Sequence, residues 1–70
     1  MKSLSEKVFC RVVERHGWQL KRITSGHHIY AKAGSRVLLS IPVHGNRDLP
    51  VGTLRGLLKD AGLTEDDLDR

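Results

Sequence analysis

Two adjacent histidines, His27 and His28, follow a Ser-Gly pair and open a run with two residues that favour β-structure, Ile29 and Tyr30. Because side chains alternate across a strand, the two imidazoles are predicted to point to opposite faces of a sheet. Histidine both accepts and donates a proton near neutral pH, since its unperturbed pKa is about 6.5. One of the two is therefore a candidate general acid or base. The alternative is a pair of ordinary sheet residues, one inside and one on the surface.

The other residues of the chain argue against several kinds of site. The four histidines lack zinc-binding spacing, and the seven glycines form neither a phosphate loop nor a dinucleotide fingerprint. Acidic residues cluster only in the C-terminal segment 60–70, so metal-dependent nuclease and glycosidase chemistry lacks its carboxylates. We therefore expect no metal and no other cofactor.

Histidines and cations without a metal suit one substrate class, RNA. RNA carries its own nucleophile, the 2′-OH, so its cleavage needs a base, an acid for the leaving 5′ oxygen and positive charge near the phosphate. DNA lacks the 2′-OH, so the same groups would be of little use against it. His44, in a polar loop after the third predicted strand, is the second candidate for proton transfer. The alternative is that its imidazole only holds that loop.

The charge of the chain is distributed unevenly. Residues 1–59 contain eleven Lys and Arg against three acids, whereas residues 60–70 contain one Arg against five acids. A basic body of this kind favours a nucleic-acid partner, because Lys and Arg neutralise phosphates and release counterions. The alternative is that scattered surface cations only keep the protein soluble. The predicted RNA-binding residues are Lys21, Arg22, Lys32, Arg36 and Arg47, with Arg11 and Arg15 on the first helix as another path.

Hydrophobic periodicity predicts an α+β fold in the order α-β-β-β-α, with two helices on one face of a three-stranded antiparallel sheet. The predicted elements are a helix over 3–16, strands over 18–23, 27–32 and 36–41, and a helix from about 50 to 61. Ser3 and Glu6 have the spacing of a capping box for the first helix. Trp18 and Leu20 are predicted to face the core. Residues 64–70 would add a single acidic turn that frays.

Length and composition indicate one domain over residues 1–70. The single cysteine, Cys10, excludes an internal disulfide and is expected in the core, in a reducing compartment. The first six residues lack the apolar segment of a signal peptide, and no stretch approaches the length of a membrane span. We therefore expect a cytoplasmic protein without a membrane partner.

Four motifs, taken in order, resemble the HicA toxin family of bacterial toxin–antitoxin systems. They are Gly17-Trp18, residues 26–30 (Gly-His-His-Ile-Tyr), residues 41–46 (Ile-Pro-Val-His-Gly-Asn) and residues 52–63 (Gly-Thr-Leu-Arg-Gly-Leu-Leu-Lys-Asp-Ala-Gly-Leu). The resemblance implies a fold like that of a double-stranded-RNA-binding domain and an mRNA interferase neutralised by a HicB antitoxin. The family places its catalytic histidine directly after Gly-Ser, and by position that residue is His27.

This chain departs from the family in one place, because the usual Gly-Ser before the histidines is reversed to Ser25-Gly26. A serine hydroxyl next to the histidine could position it or the phosphate, which Gly26 cannot do. Either Ser25 assumes that role from one residue back, or the activity is weakened. The competing hypothesis is a domain of the same fold that binds RNA or an antitoxin without cutting RNA. An antitoxin is expected to cover His27 with acidic and apolar groups.

Overall fold

The computed structural model describes residues 3–45 and 47–69 and confirms the α+β fold. Its elements are β1 (Leu4–Ser5), α1 (Glu6–Arg15), β2 (Gln19–Thr24), β3 (His27–Ala31), β4 (Leu39–Pro42), β5 (Asp48–Leu49), α2 (Val51–Ala61) and a final 3₁₀ helix (Glu65–Asp69). Strands β2, β3 and β4 form an antiparallel sheet in that order, and β1 pairs with β5 separately. Asn46 of the third motif lies outside the described residues, as do residues 1, 2 and 70.

Helix α1 begins later than predicted, and the predicted capping box is wrong. The N-cap is Ser5, whose side chain accepts a hydrogen bond from the Val8 N–H at 3.1 Å. Ser3 instead donates to the carboxylate of Asp48 at 3.1 Å, beside the β1–β5 pair. A local spacing rule could not foresee this, because the two paired residues are 45 positions apart in the chain.

The core lies between the two helices and one face of the three-stranded sheet. Trp18 is 3% exposed and Cys10 is buried, which confirms both predictions. The same cluster holds side chains from α1, β3, β4, β5 and α2: Phe9, Val13, Tyr30, Leu39, Ile41, Leu49, Leu54, Leu57, Leu58 and Ala61. Tyr30, Leu39 and Ile41 therefore mark the helix-covered face of the sheet, and the residues between them mark the open face.

Strand β2 is the least covered of the three, and all six of its residues are exposed. The prediction that Leu20 faces the core is wrong, since the side chain is 45% exposed. Leu20 does lie on the same face as its buried partner Tyr30. However, β2 forms the edge of the sheet, where the side chains of this face are left uncovered. The exposure of Ile23, 60%, has the same cause.

The third strand of the sheet is shorter than predicted, because residues 36–38 are not in a strand. The Val37 N–H donates to the Ser35 hydroxyl at 3.1 Å, a local bond that competes with strand pairing. Strand β4 extends to Pro42, which is tolerated because β4 is the other edge of the sheet.

Helix α2 and the C-terminal turn follow the predicted pattern. Pro50 precedes the helix, and Gly62 ends it in the left-handed conformation at φ 71°. The Asp67 carboxylate accepts the Thr64 N–H at 2.8 Å, at the start of the final turn. Whether this turn frays stays a prediction. No helix in the described part of the chain is long and apolar enough to cross a membrane.

Candidate active site

The turn between β2 and β3 sets the position of the first histidine. Thr24 pairs with His27, so only Ser25 and Gly26 connect the two strands. Both have positive φ values, 50° and 80°, as in the type I′ turns that suit two-residue hairpins. Glycine adopts this conformation readily, whereas an L-residue such as serine is strained there by about 1 kcal/mol. The turn therefore fixes His27 as the first residue of β3.

His27 lies on the open face of the sheet, where its ring contacts a hydroxyl of the neighbouring strand. The His27 Nδ1 and the Ser40 Oγ are 3.0 Å apart. Ser40 pairs with Ile29, which makes it a diagonal neighbour of His27 on the same face. A serine hydroxyl can donate or accept, so this bond is compatible with either imidazole tautomer. With Nδ1 engaged, Nε2 is the nitrogen left to meet a substrate.

The structure brings His44 beside His27. The two ring centroids are 5.9 Å apart, and the ring planes are 82° from parallel, in an edge-to-face arrangement. His44 is exposed in the loop after β4, and His27 is partly exposed. Two imidazoles at this separation can both reach one phosphate group.

Two backbone hydrogen bonds hold the loop that carries His44. The His44 N–H donates to the Glu6 carboxylate at 2.7 Å, and Glu6 is only 3% exposed. The Val43 N–H donates to the Gly26 carbonyl at 2.8 Å. The loop is thereby tied to the first turn of α1 on one side and to the β2–β3 turn on the other. Because Glu6 also lies at a helix N-terminus, the helix dipole favours its negative charge.

The reversed Ser25-Gly26 order has a steric consequence at His44. A Cβ atom on residue 26 would lie 3.0 Å from the His44 Cε1 and 3.1 Å from its Nδ1. The imidazole therefore fills the space in which a serine side chain at position 26 would begin. The hydroxyl that contacts His27 belongs to Ser40 rather than to Ser25. A catalytic role for Ser25 stays a prediction.

His28 points to the opposite face of the sheet, as predicted, and lies in a different environment. It is half-buried and helps to line a cleft of about 340 Å³ between α1 and strands β2 and β3, together with Cys10, Glu14, Leu20 and Tyr30. The Tyr30 hydroxyl donates to the Glu14 carboxylate at 2.6 Å. Burial, followed by this hydrogen bond, raises the pKa of Tyr30, and burial raises the pKa of the Cys10 thiol. Both groups are therefore protonated near neutral pH, and Cys10 is a poor nucleophile.

Two of the predicted RNA-binding cations lie at the same end of the sheet as the histidines. Arg22 pairs with Ile29, so it lies on the open face that carries His27. Arg47 is exposed and follows the loop of His44, and its carbonyl accepts the Glu6 N–H at 3.0 Å.

The other three predicted cations lie elsewhere. Lys21 occupies a β-bulge on the edge strand. Lys32 follows the far end of β3, roughly 16 Å from His27 at about 3.3 Å per strand residue. Its Cε lies near Gly17, 3.4 Å from where a Cβ of that residue would stand. Arg36 is exposed in the same connecting segment.

Ser40 and Glu6 are the site residues that the sequence analysis missed. Ser40 stands between two buried apolar residues of β4, and this alternation does place it on the open face. No sequence signal links Glu6 to His44. Among the described residues, no group of three or more His, Cys, Asp or Glu is arranged to hold a metal ion.

Comparison with known proteins adds one finding. A family model described as HicA toxin of bacterial toxin-antitoxin matches residues 7–63. The match includes both histidines of the open-face site, the β2–β3 turn and all of α2. It begins one residue after Glu6. No curated protein matches the chain significantly.

Proposed function

The chain belongs to the HicA toxin family of bacterial toxin–antitoxin systems, and on that premise we propose that it is a metal-independent endoribonuclease that cleaves mRNA. The observation that carries this proposal is the pairing of His27 with His44 on the open face, with the His27 Nδ1 held by Ser40. The pair supplies two proton-transfer groups in reach of one phosphate. A toxin of this kind would act in the cytoplasm, where mRNA is found.

In the proposed reaction, the His27 Nε2 removes the proton of an RNA 2′-OH as general base. The 2′ oxygen then attacks the adjacent phosphorus, and the bond from phosphorus to the 5′ oxygen breaks. Protonated His44 gives its proton to that 5′ oxygen as general acid. The products are a 2′,3′-cyclic phosphate and a free 5′-OH, so atoms and protons balance without water in this step.

The open face supplies the positive charge that this reaction requires. Arg22 lies on that face and Arg47 follows the His44 loop, where they can stabilise the charge that develops on the phosphate oxygens. Lys32 and Arg36 follow the far end of β3, and we propose that they bind phosphates further along an RNA strand that crosses the sheet. These contacts would position RNA rather than participate in the cleavage step.

We further propose a HicB-like antitoxin as the protein partner, since toxins of this family are one half of a toxin–antitoxin pair. Neutralisation would require that RNA be kept from His27. Covering the open face with carboxylates and apolar side chains would exclude RNA and match the positive field, which also speeds association.

The test is cleavage of a short fluorescent RNA by the purified protein in the presence of EDTA. We expect fragments that end in a 2′,3′-cyclic phosphate, no cleavage of the matched DNA, and no cut where the nucleotide before the scissile phosphate is 2′-deoxy. Cleavage that stops on chelation would contradict a metal-free mechanism. Cleavage of the DNA would contradict the role of the 2′-OH.

One observation favours a second candidate, a toxin-like domain that binds RNA without cutting it. Gly26 has no hydroxyl next to His27, whereas the family motif carries a serine there. If this hydroxyl is essential, the purified protein will retain RNA in a binding assay and release no fragments. Fragments in the same assay would exclude this candidate.

A further inference from the structure

In the part of the chain that the structure describes, no strand pairs with the outer edge of β2. Strand β2 has six residues and is the longest strand of the sheet, and among residues 3–45 and 47–69 its one strand partner is β3. Its outer row of backbone N–H and C=O groups is a template for one more strand. Two exposed aliphatic side chains, Leu20 and Ile23, project from it toward the helix side, next to the cleft against α1. Apolar side chains at an open strand edge are typical of a surface that binds a partner.

The charges around this edge indicate which partner it fits. Lys21 stands in the bulge of β2, Arg22 points to the open face, and Arg11 lines the cleft on the helix side. All three side chains are exposed. A second copy of the chain is a poor occupant, because Lys21 and Arg22 would meet their own like charges. An acidic segment is favoured by the same charges.

We propose that the antitoxin adds an extended segment to the outer edge of β2 as a fourth strand of the sheet. Side chains of such a strand alternate between faces. Those on the helix side would be apolar and cover Leu20 and Ile23, whereas those on the open side would be carboxylates that meet Arg22. The expected antitoxin segment is thus a short alternation of apolar and acidic residues.

An antitoxin strand at this edge would also lie close enough to His27 for the bound antitoxin to block it. Neighbouring strands are about 4.8 Å apart, so the added strand would lie roughly 10 Å from β3. Its end beside Thr24 would be level with His27, because Thr24 and His27 are paired. The body of the antitoxin would therefore stand at the rim of the open face and could cover His27 from there. The inference depends on the antitoxin partner proposed above, but not on RNA cleavage.

The test measures binding of the cognate antitoxin, purified and titrated calorimetrically into the full chain. Ile23→Asp removes an aliphatic contact and places a like charge against the expected carboxylates. Burying an isoleucine is worth about 1.5–3 kcal/mol, so the Kd should rise roughly ten- to a hundredfold. The matched control is Leu38→Asp, at a side chain that is 54% exposed in the segment before β4. We expect the control to change the Kd by less than about threefold.

A second variant and a second measurement complete the test. Ile23→Thr keeps a β-branched residue in β2, so an effect on binding with unchanged thermal unfolding would separate docking from folding. Hydrogen exchange of the complex should show new protection of those backbone amides of residues 19–24 that point away from β3. The inference is overturned if wild type binds the antitoxin and Ile23→Asp binds it as tightly as the control Leu38→Asp does. It is also overturned if these amides exchange as fast in the complex as in the free protein. Protection of β2 by RNA instead would assign the edge to the substrate and overturn the inference as well.

Discussion

The open face at the β2–β3 turn and the outer edge of β2 belong to the same small sheet but are built in opposite ways. On the open face, the imidazole of His27 is held by Ser40, and the loop of His44 is held by Glu6 and Gly26. At the edge of β2, aliphatic side chains are exposed, and the outer backbone groups have no strand partner among the described residues. Proton transfer requires groups in fixed positions, whereas docking requires groups that still lack partners. The contrast therefore supports the two proposals, chemistry on the open face and association at the edge of β2.

Because side chains alternate along a strand, two adjacent residues of β3 belong to the two different surfaces. His27 belongs to the open face with Ser40, and His28 belongs to the cleft beside the β2 edge with Leu20 and Tyr30. If the division of roles is real, substitutions on the two surfaces will change different measurements.

The largest expected effect separates the two adjacent histidines. His27→Ala should lower the rate of RNA cleavage about 10²–10⁴-fold, because a general acid–base group is lost. Its thermal unfolding should change little, since the side chain is partly exposed. His28→Ala should keep most of the cleavage rate and reduce the free energy of unfolding, because its half-buried ring is removed from the cleft. The proposed roles of the two histidines are contradicted if His27→Ala cleaves RNA about as fast as wild type. They are also contradicted if His28→Ala loses cleavage and His27→Ala loses stability.

An intermediate effect is expected at the turn that supports both histidines. Gly26→Ser places a Cβ about 3 Å from the His44 ring at a residue with φ 80°, so the ring must move and the turn is strained. We expect a loss of about 1–3 kcal/mol in the free energy of unfolding and a fall in the cleavage rate. Ser25→Gly is the matched control, because it relieves strain at φ 50° without touching His44 and should stabilise the fold by about 1 kcal/mol.

The double variant Gly26→Ser with His44→Gly distinguishes strain from the loss of the imidazole. Without the ring, the serine side chain has room, so part of the stability should return. The cleavage rate should not, because the proposed general acid is absent. Full recovery of cleavage would show that His44 has no part in the chemistry and only occupies the space beside Gly26.

The sequence predicted the elements that carry the candidate site better than the contacts that fix them. Alternation along β3 placed the two histidines on opposite faces, and the glycine-rich turns separated the strands, because both signals are local. The contact between His27 and His44 is not local: it depends on Glu6, which holds the His44 loop from 38 residues away. The spacing of Ser3 and Glu6 predicted a capping box that does not form. A local rule cannot detect that Ser3 bonds to Asp48 and Glu6 to His44, far away in the chain.

The prediction that Leu20 faces the core is wrong for a different reason. A binary pattern of apolar and polar residues identifies the side of a strand that faces the helices, and Leu20 does lie on that side. The pattern does not reveal that β2 is the edge of the sheet, where this side is uncovered. Leu20, for which the pattern fails, is one of the two side chains that the proposed antitoxin strand would cover.

The smallest expected effects concern the path of RNA over the open face. For a single strand, the negative slope of log affinity against log salt concentration becomes shallower by about 0.7 for each phosphate contact removed. Arg22→Ala should flatten the slope by about this amount and also lower the cleavage rate, because Arg22 lies on the face of His27.

The double variant of Lys32 and Arg36 to Ala should flatten the slope by up to about 1.4 and leave kcat unchanged, since both follow the far end of β3. The matched control is Arg11→Ala with Arg15→Ala, on the helix that borders the proposed antitoxin surface, and its slope should equal that of wild type. If only this control flattens the slope, RNA crosses α1 instead of the open face, and the two surfaces no longer have separate partners.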